Sequence, residues 1–265
     1  DCQLRLTGED PSLLKTFEKQ YSYPGEQTCA GDGLCSMSCP MGINVGDLTH
    51  EVRRKNMSKM ANEIGGFVAD NFHGVKTALR GVLHVADFGH SVLGGKVMGA
   101  LARGMHAVGM PLWTPSMPKA YNASKRVAAA GDSVLKVIYF PSCLNQTMGI
   151  DKASEGMKPL AEEMIELLGK AGYEVILPDN MDSLCCGTIW ESKGLPEIAA
   201  NKTRQLEEAL WEASEHGKYP VVCDQSPCLH RMKQHMTKVE LYESAEFIWK
   251  FLNLDASSDD NNVKF

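Results

Sequence analysis

From Val134 to Asn253 the chain alternates short apolar runs with longer segments whose apolar residues recur every three or four positions. The runs Leu135–Phe140, Glu174–Leu177, Pro220–Cys223 and Val239–Tyr242 are rich in branched and aromatic side chains. Continuous apolar runs of this length predict strands covered on both faces. The intervening segments predict helices. One is capped by Asp151 and carries Leu160, Met164, Leu167 and Leu168 on a single stripe. A second covers Leu195–Glu215, with Ala199, Leu206, Leu210 and Ala213 facing inward. A short third covers Leu229–Met236, and Ser244 caps a fourth that ends at Phe251. Gly172 and Gly217 stand where left-handed helix ends need them. Strand–helix alternation implies an α/β domain: a parallel sheet with helices on both faces.

Upstream the texture changes. Ser12–Tyr21, with Leu13, Leu14 and Phe17 on one face, and Val45–Lys55 predict helices flanking a turn-rich stretch from Pro24 to Gly42. From Met57 to Lys119 small, apolar and basic residues mix. Ala78, Val82, Val85 and Ala86 share helical spacing, as do Leu93, Val97, Leu101 and Met105, until Pro111, Pro115 and Pro118 end the pattern. The chain therefore reads as an all-α segment over 1–56, a helical connector over 57–133, an α/β domain over 134–253 and a polar, acidic, disordered tail over 254–265. His73, His84, His90 and His106 read as packing and surface histidines rather than haem ligands.

Charge narrows the function. The net charge is -6 and aromatics make up 7% of 265 residues. No basic block exists to displace phosphate counterions, so nucleic acid is not expected as a partner. The longest apolar stretch, Val92–Met110, is interrupted by Lys96, Arg103 and His106. It falls short of the roughly 20-residue apolar run that spans a bilayer. A cytoplasmic protein is expected. Lys96 and Arg103 share a face with apolar neighbours, which leaves peripheral association with a membrane as a weaker expectation. The sequence opens on Asp1 without a leader-like pattern and reads as part of a longer protein.

Eight of the nine cysteines fall into two groups, and Cys2 stands alone. Clustered cysteines in a reducing compartment point to metal or catalysis before disulfides. The first group reads Cys29-Ala-Gly-Asp32-Gly-Leu-Cys35-Ser-Met-Ser-Cys39-Pro40. It follows the C-x2-C-x2-C-x3-C-P run of bacterial ferredoxins, with Asp32 in place of the second cysteine. Short gaps let the chain curl around a cluster and present successive sulfurs to different irons. Asp32 has two readings: an oxygen ligand, harder than sulfur, or a residue facing solvent. In two-cluster ferredoxins the fourth cysteine serves the other cluster. Cys39 would then need a partner run absent from this sequence, a further sign of a longer parent.

The second group comprises Cys143, Cys185-Cys186-Gly187, and Cys223 with Cys228. Each follows a predicted strand or leads into a helix, so a doubly wound sheet would gather them at its carboxyl edge. Cys143, Cys185, Cys186 and Cys228 form a four-thiolate set, with Cys228 placed just before a helix whose amino end favours thiolate. Cys223 reads first as a core thiol. Four thiolates suit an iron–sulfur cluster, with structural zinc as the alternative.

Phe140-Pro-Ser-Cys143, Leu184-Cys185-Cys186-Gly187 and the later Cys228 resemble the CCG cysteine-rich domain. That family's closing C-x2-C is altered here, with Gln225 in place of its first cysteine. This favours a four-ligand site over a five-cysteine cluster. The order of ferredoxin run, helical connector and single CCG domain is similar to FAD-linked D-lactate dehydrogenases and related iron–sulfur oxidoreductases. Thr28–Cys35 and Cys185-Cys186-Gly187-Thr-Ile-Trp190-Glu-Ser192 carry that resemblance, which spans most of residues 21–235.

The resemblance implies an oxidoreductase acting on a 2-hydroxy acid. It implies [4Fe-4S]-type clusters on Cys29, Asp32, Cys35, Cys39, Cys143, Cys185, Cys186 and Cys228. It also implies FAD on an upstream flavin domain of the same protein, and a quinone or cytochrome as electron acceptor. A heterodisulfide-reductase-like or glycolate-oxidase-like iron–sulfur subunit is the alternative. No Gly-rich dinucleotide fingerprint follows a strand in this chain.

Overall fold

The computed structural model describes residues 10–31, 33–106, 112–125, 135–154 and 156–252. Cys2, Asp32 and the tail expected to be disordered lie outside them. In chain order the main elements begin with helices α1 (Pro11–Tyr21), α2 (Leu34–Ser38), α3 (Val45–Asn56), α4 (Lys59–Asp70) and α5 (Phe72–His106). Then come β1 (Leu135–Phe140), α6 (Cys143–Thr147), α7 (Leu160–Lys170), β2 (Tyr173–Ile176), α8 (Thr188–Glu191) and α9 (Pro196–Ala213). The chain continues through β3 (Val221–Cys223), α10 (Ser226–His235), β4 (Leu241–Glu243) and α11 (Ser244–Phe251). Two compact units result: residues 1–69 with 187–201, and residues 70–186 with 202–265. Their edges follow packing, whereas the boundaries at 56, 133 and 253 followed composition.

In the first unit, α3 starts on Asn44, whose side chain accepts the Gly46 N–H at 2.9 Å. Arg53 of α3 donates to the carbonyls of Glu26, Cys29 (2.8 Å) and Ser192. One guanidinium thus ties the cysteine-bearing turn to the segment at 187–201. Gly194 allows that segment its close approach. Its φ is +82°, and a Cβ there would stand 2.6 Å from the Arg54 nitrogen.

The second unit is mixed α/β. Its four strands form a parallel sheet in the order β2-β1-β3-β4. Val137, Ile138, Tyr139, Phe140, Val175, Val221 and Val222 are all buried, so the expectation of strands covered on both faces holds. Leu206, Leu210, Met232 and Phe247 complete the core from the helices. Each such side chain contributes roughly 1.5–3 kcal/mol on burial. Gly172 (φ 85°) and Gly217 (φ 80°) adopt the left-handed conformation expected of them.

Four local expectations are corrected. Asp151 caps the 3-10 turn Lys152–Ser154, accepting the Ser154 N–H at 2.9 Å, and α7 begins later, after Pro159. The residue before a proline is steered away from helical angles, so no helix runs continuously from Asp151. The buried stripe of α7 is Ala161, Met164 and Leu168, while Leu160 and Leu167 face out. The last helix is capped by Glu243, not Ser244, in a reciprocal capping box with Glu246. The fourth correction concerns α5. Val82 and Val85 are exposed, and the covered face is Phe72, Lys76, Arg80 and Leu83. The helix kinks at Gly94 (φ 73°, ψ 161°). No helix among the described residues is long and apolar enough to cross a membrane.

Replacement of Gly194 by Ala is expected to strain the left-handed backbone and drive the added methyl into α3. A loss exceeding ~1 kcal/mol should follow, measured as a lower urea midpoint with an unchanged slope.

Candidate metal centre

The strand order places a switch point between β1 and β3, whose onward connections leave in opposite directions. Crevices of this kind, outside the carboxyl ends of parallel strands, are where α/β sheets place ligands. β1 runs through Pro141 and Ser142 into Cys143, the first residue of α6. Ser142 caps that short helix, accepting the Asn145 N–H at 3.3 Å. The connection after β2 makes a 3-10 turn, Met181–Ser183, and then presents Cys185 and Cys186. β3 ends on Cys223, and Cys228 follows as the third residue of α10. Cys228 therefore lies inside the first helical turn rather than ahead of it.

The three connections bring four thiols together. Side-chain hydrogen bonds link Cys143 to Cys185, Cys185 to Cys186, and Cys186 to Cys228. Cys185, Cys186, Cys223 and Cys228 are buried and Cys143 is half-buried. Cys143 has its pKa lowered, by the hydrogen bond from Cys185 and by nearby Lys76, against burial. Cys185 is pushed up by its bonds to Cys143 and Cys186 together with burial, and Cys228 by its bond to Cys186 together with burial. Burial pushes Cys223 up, and it too feels the charge of Cys186. Crowded thiols resist losing several protons at once unless a cation neutralises the product. Among the described residues no set of three His, Cys, Asp or Glu side chains stands ready-made for a metal ion. The four thiols interact pairwise along the series Cys143, Cys185, Cys186 and Cys228. Their chemistry, soft and uniformly sulfur, fits a thiophilic metal or an iron–sulfur cluster.

Two polar devices fix the surrounding loops. Asp224 accepts the Tyr139 hydroxyl at 2.7 Å and the Ser142 N–H at 2.8 Å. It thereby locks the turn before Cys143 to the end of β3. The second device lies around Asp182. Arg80 donates to Asp182 at 2.6 Å, to the Gln146 carbonyl at 3.1 Å and to the Tyr121 carbonyl at 2.9 Å. Lys76 donates to the Gln146 side chain and to the Met181 carbonyl at 3.2 Å, with Asp182 at 3.5 Å. Burial lowers Lys76 to about 8, opposed by Asp182 and Cys143. On the other side, Arg231 donates to the Cys186 carbonyl at 3.1 Å, and Thr203 donates to the same carbonyl at 2.7 Å.

The first cysteine group is arranged differently. Cys35 is exposed, and Cys29 and Cys39 are half-buried. Cys35 sulfur accepts the Val45 N–H at 3.3 Å. Cys39 has its pKa lowered by the backbone N–H groups of Ile43, Met41 and Gly42. Among the described residues no hydrogen bond joins Cys29, Cys35 and Cys39 to one another. Asp32 lies outside the described residues, so neither of its readings gains support.

Sequence patterning missed Lys76, Arg80, Asp182, Lys202, Asp224 and Arg231. Lys76 and Arg80 are four apart on one helix face, which was legible, but charged residues on a helix are ordinarily solvated. Asp182 is held down to about 2: burial opposes the shift, but hydrogen bonds from Arg80 and Ser124 and the charges of Lys76 and Arg80 outweigh it. A carboxyl depressed on folding stabilises the native state fully above its unfolded value of 3.8, and that stability drains away as pH falls through about 2. Denaturation curves of the protein and of Asp182→Asn, taken from pH 5 down to pH 2, should therefore differ in slope, with the steeper loss in the parent. Asp182→Ala, which leaves two buried cations facing no carboxylate, is expected to cost about 3–5 kcal/mol. No protein-family model, curated protein or solved structure matches the chain.

Proposed function

We propose that the chain is the iron–sulfur, electron-carrying part of a flavin-linked 2-hydroxy acid dehydrogenase of the D-lactate type, and that its α/β unit is a CCG-type domain. The observation that supports this reading most is the convergence of Cys143, Cys185, Cys186 and Cys228 at the carboxyl edge of one parallel sheet. These four residues would hold the cluster, and Cys29, Cys35 and Cys39 would contribute to a second site. When bound, an iron–sulfur cluster supplies a one-electron carrier. The chain's own part is to position and insulate it. Asp224 fixes the Cys143 turn, Thr203 and Arg231 hold the Cys186 carbonyl, and the packed ends of β1 and β3 exclude water. Electrons would arrive from a flavin domain of the same protein and leave to a quinone or cytochrome.

The test is an anaerobic iron and acid-labile sulfide assay combined with EPR of the reduced protein. Stoichiometric iron and sulfide, with a low-temperature signal that Cys143→Ser, Cys186→Ser and Cys228→Ser each largely abolish, is the expected result. A colourless protein holding only zinc would overturn the electron-transfer reading.

A further inference from the structure

Five charged side chains are buried among the described residues: Lys76, Arg80, Asp182, Lys202 and Arg231. Four of them are cations, and Lys76, Lys202 and Arg231 each interact electrostatically with the cysteines. Asp182 engages Arg80 and Lys76. Half-buried Asp224 is committed to Tyr139 and Ser142. Sulfur also favours the charge of three of the cations, joined at Lys202 by Asp70. Lys76 feels Cys143, Lys202 feels Cys185, and Arg231 feels both Cys186 and Cys185.

Lys202 is the sharpest case. It is 5% exposed. Its ammonium stands 5.9 Å from the centroid of the Phe72 ring, which the Lys76 ammonium also approaches, at 5.4 Å. Burial works against its charge, opposed by Cys185 and Asp70. Arg231, 4% exposed, donates to the Cys186 carbonyl at 3.1 Å, and Cys186 and Cys185 favour its charge. Moving an ammonium or guanidinium out of water costs several kcal/mol unless an opposite charge compensates. Neutral thiols do not supply one. A thiolate-bound metal centre does, because four thiolates outweigh the charge of a divalent ion or of an oxidised four-iron cluster core.

We propose that Lys202, with Lys76 and Arg231, forms a fixed wall of positive charge built to recognise an anionic thiolate–metal centre, and that this wall sets both the affinity and the reduction potential of that centre. The inference rests on the reading that the four thiols bind metal. It does not require the metal to be iron, because zinc or cobalt held by four thiolates is anionic too. For an iron–sulfur cluster, reduction adds one more negative charge beside the wall. The wall therefore favours the reduced form and raises the potential, by the same electrostatics that tunes clusters through charge and burial. Lys202 is a positioning residue in this scheme, acting on the centre through its field.

Lys202→Met keeps the length of the side chain and removes the charge, and Lys202→Arg restores the charge. Three measurements separate the outcomes. In the metal-free protein, Lys202→Met should raise the denaturation midpoint, since a buried charge faced only by the exposed carboxylate of Asp70 and by neutral thiols is gone. In cobalt titrations read by thiolate-to-metal absorption, the same variant should bind about tenfold more weakly, with Lys202→Arg close to the parent. In the iron-loaded protein, the reduced fraction at fixed ambient potential should fall about tenfold, a shift of about 59 mV for one electron, with iron content unchanged. Unchanged cobalt affinity in Lys202→Met, or an equal loss in Lys202→Arg, would sink the proposal. A parent protein that binds cobalt or zinc through these thiols but assembles no iron–sulfur cluster would instead defeat the electron-transfer reading and leave the charge wall to be judged on affinity.

Discussion

The second unit is organised around one electrostatic constraint: charges placed out of water must be answered. Four buried cations and one buried carboxylate belong to it, and three of the cations interact with the cysteines. Their cost is met in part by geometry within the protein. Arg80 spends its donors on Asp182 and on the carbonyls of Gln146 and Tyr121. Lys76 uses the Gln146 side chain, which in turn donates to the Pro141 carbonyl at 2.6 Å, immediately before the Cys143 turn. The polar network and the cysteine-bearing loops are therefore one construction. Loosening Asp182 would release the 3-10 turn before Cys185 and the anchor beside Cys143 together.

The sheet makes that construction feasible. Parallel strands bring their carboxyl ends to one edge, and the order β2-β1-β3-β4 sets the Cys143 and Cys228 connections on either side of a switch point. Because Val137–Phe140 and Val221–Cys223 are fully buried, the strand ends are rigid. Rigid ends let short loops deliver sulfur atoms to within hydrogen-bonding reach. The same strands supply the clamp, since Tyr139 of β1 and Asp224, directly after β3, join across the crevice.

How much of this was legible depends on whether a residue acts through a repeating pattern or through a distant partner. β1 was readable to the residue, because Leu135–Phe140 is an apolar run with no competing periodicity. β4 fell two residues later than expected at its start, where Val239 is buried yet unpaired in the ladder. The convergence of Cys143, Cys185, Cys186 and Cys228 followed from strand–helix alternation alone. The cation wall did not. Lys202 lies on α9 in register with the apolar stripe, three residues after Ala199 and four before Leu206, but a lysine at such a position ordinarily carries its charge out to solvent. Its burial is imposed by Phe72, 130 positions away in the chain. Likewise, the exposed valines of α5 resembled a core face because periodicity reports that a helix has two faces, not which one is covered.

The two cysteine groups stabilise negative sulfur by different physical means. At Cys39 and Cys35 the donors are backbone N–H groups of a turn and a helix start, neutral dipoles close to partly solvated sulfur. At the buried group whole charges do that work, because a dry interior leaves little solvent to share it. Dipoles cost little to install and act over short range. Buried cations are costly and act over longer range, so retaining three of them around four thiols makes sense only where the negative charge opposite is large and persistent. Hydrogen-bonded neutral thiols do not meet that condition, whereas thiolates bound to a metal do. The proposed charge wall and the thiols it faces are therefore two halves of one reading, in which metal-bound thiolate answers the buried cations.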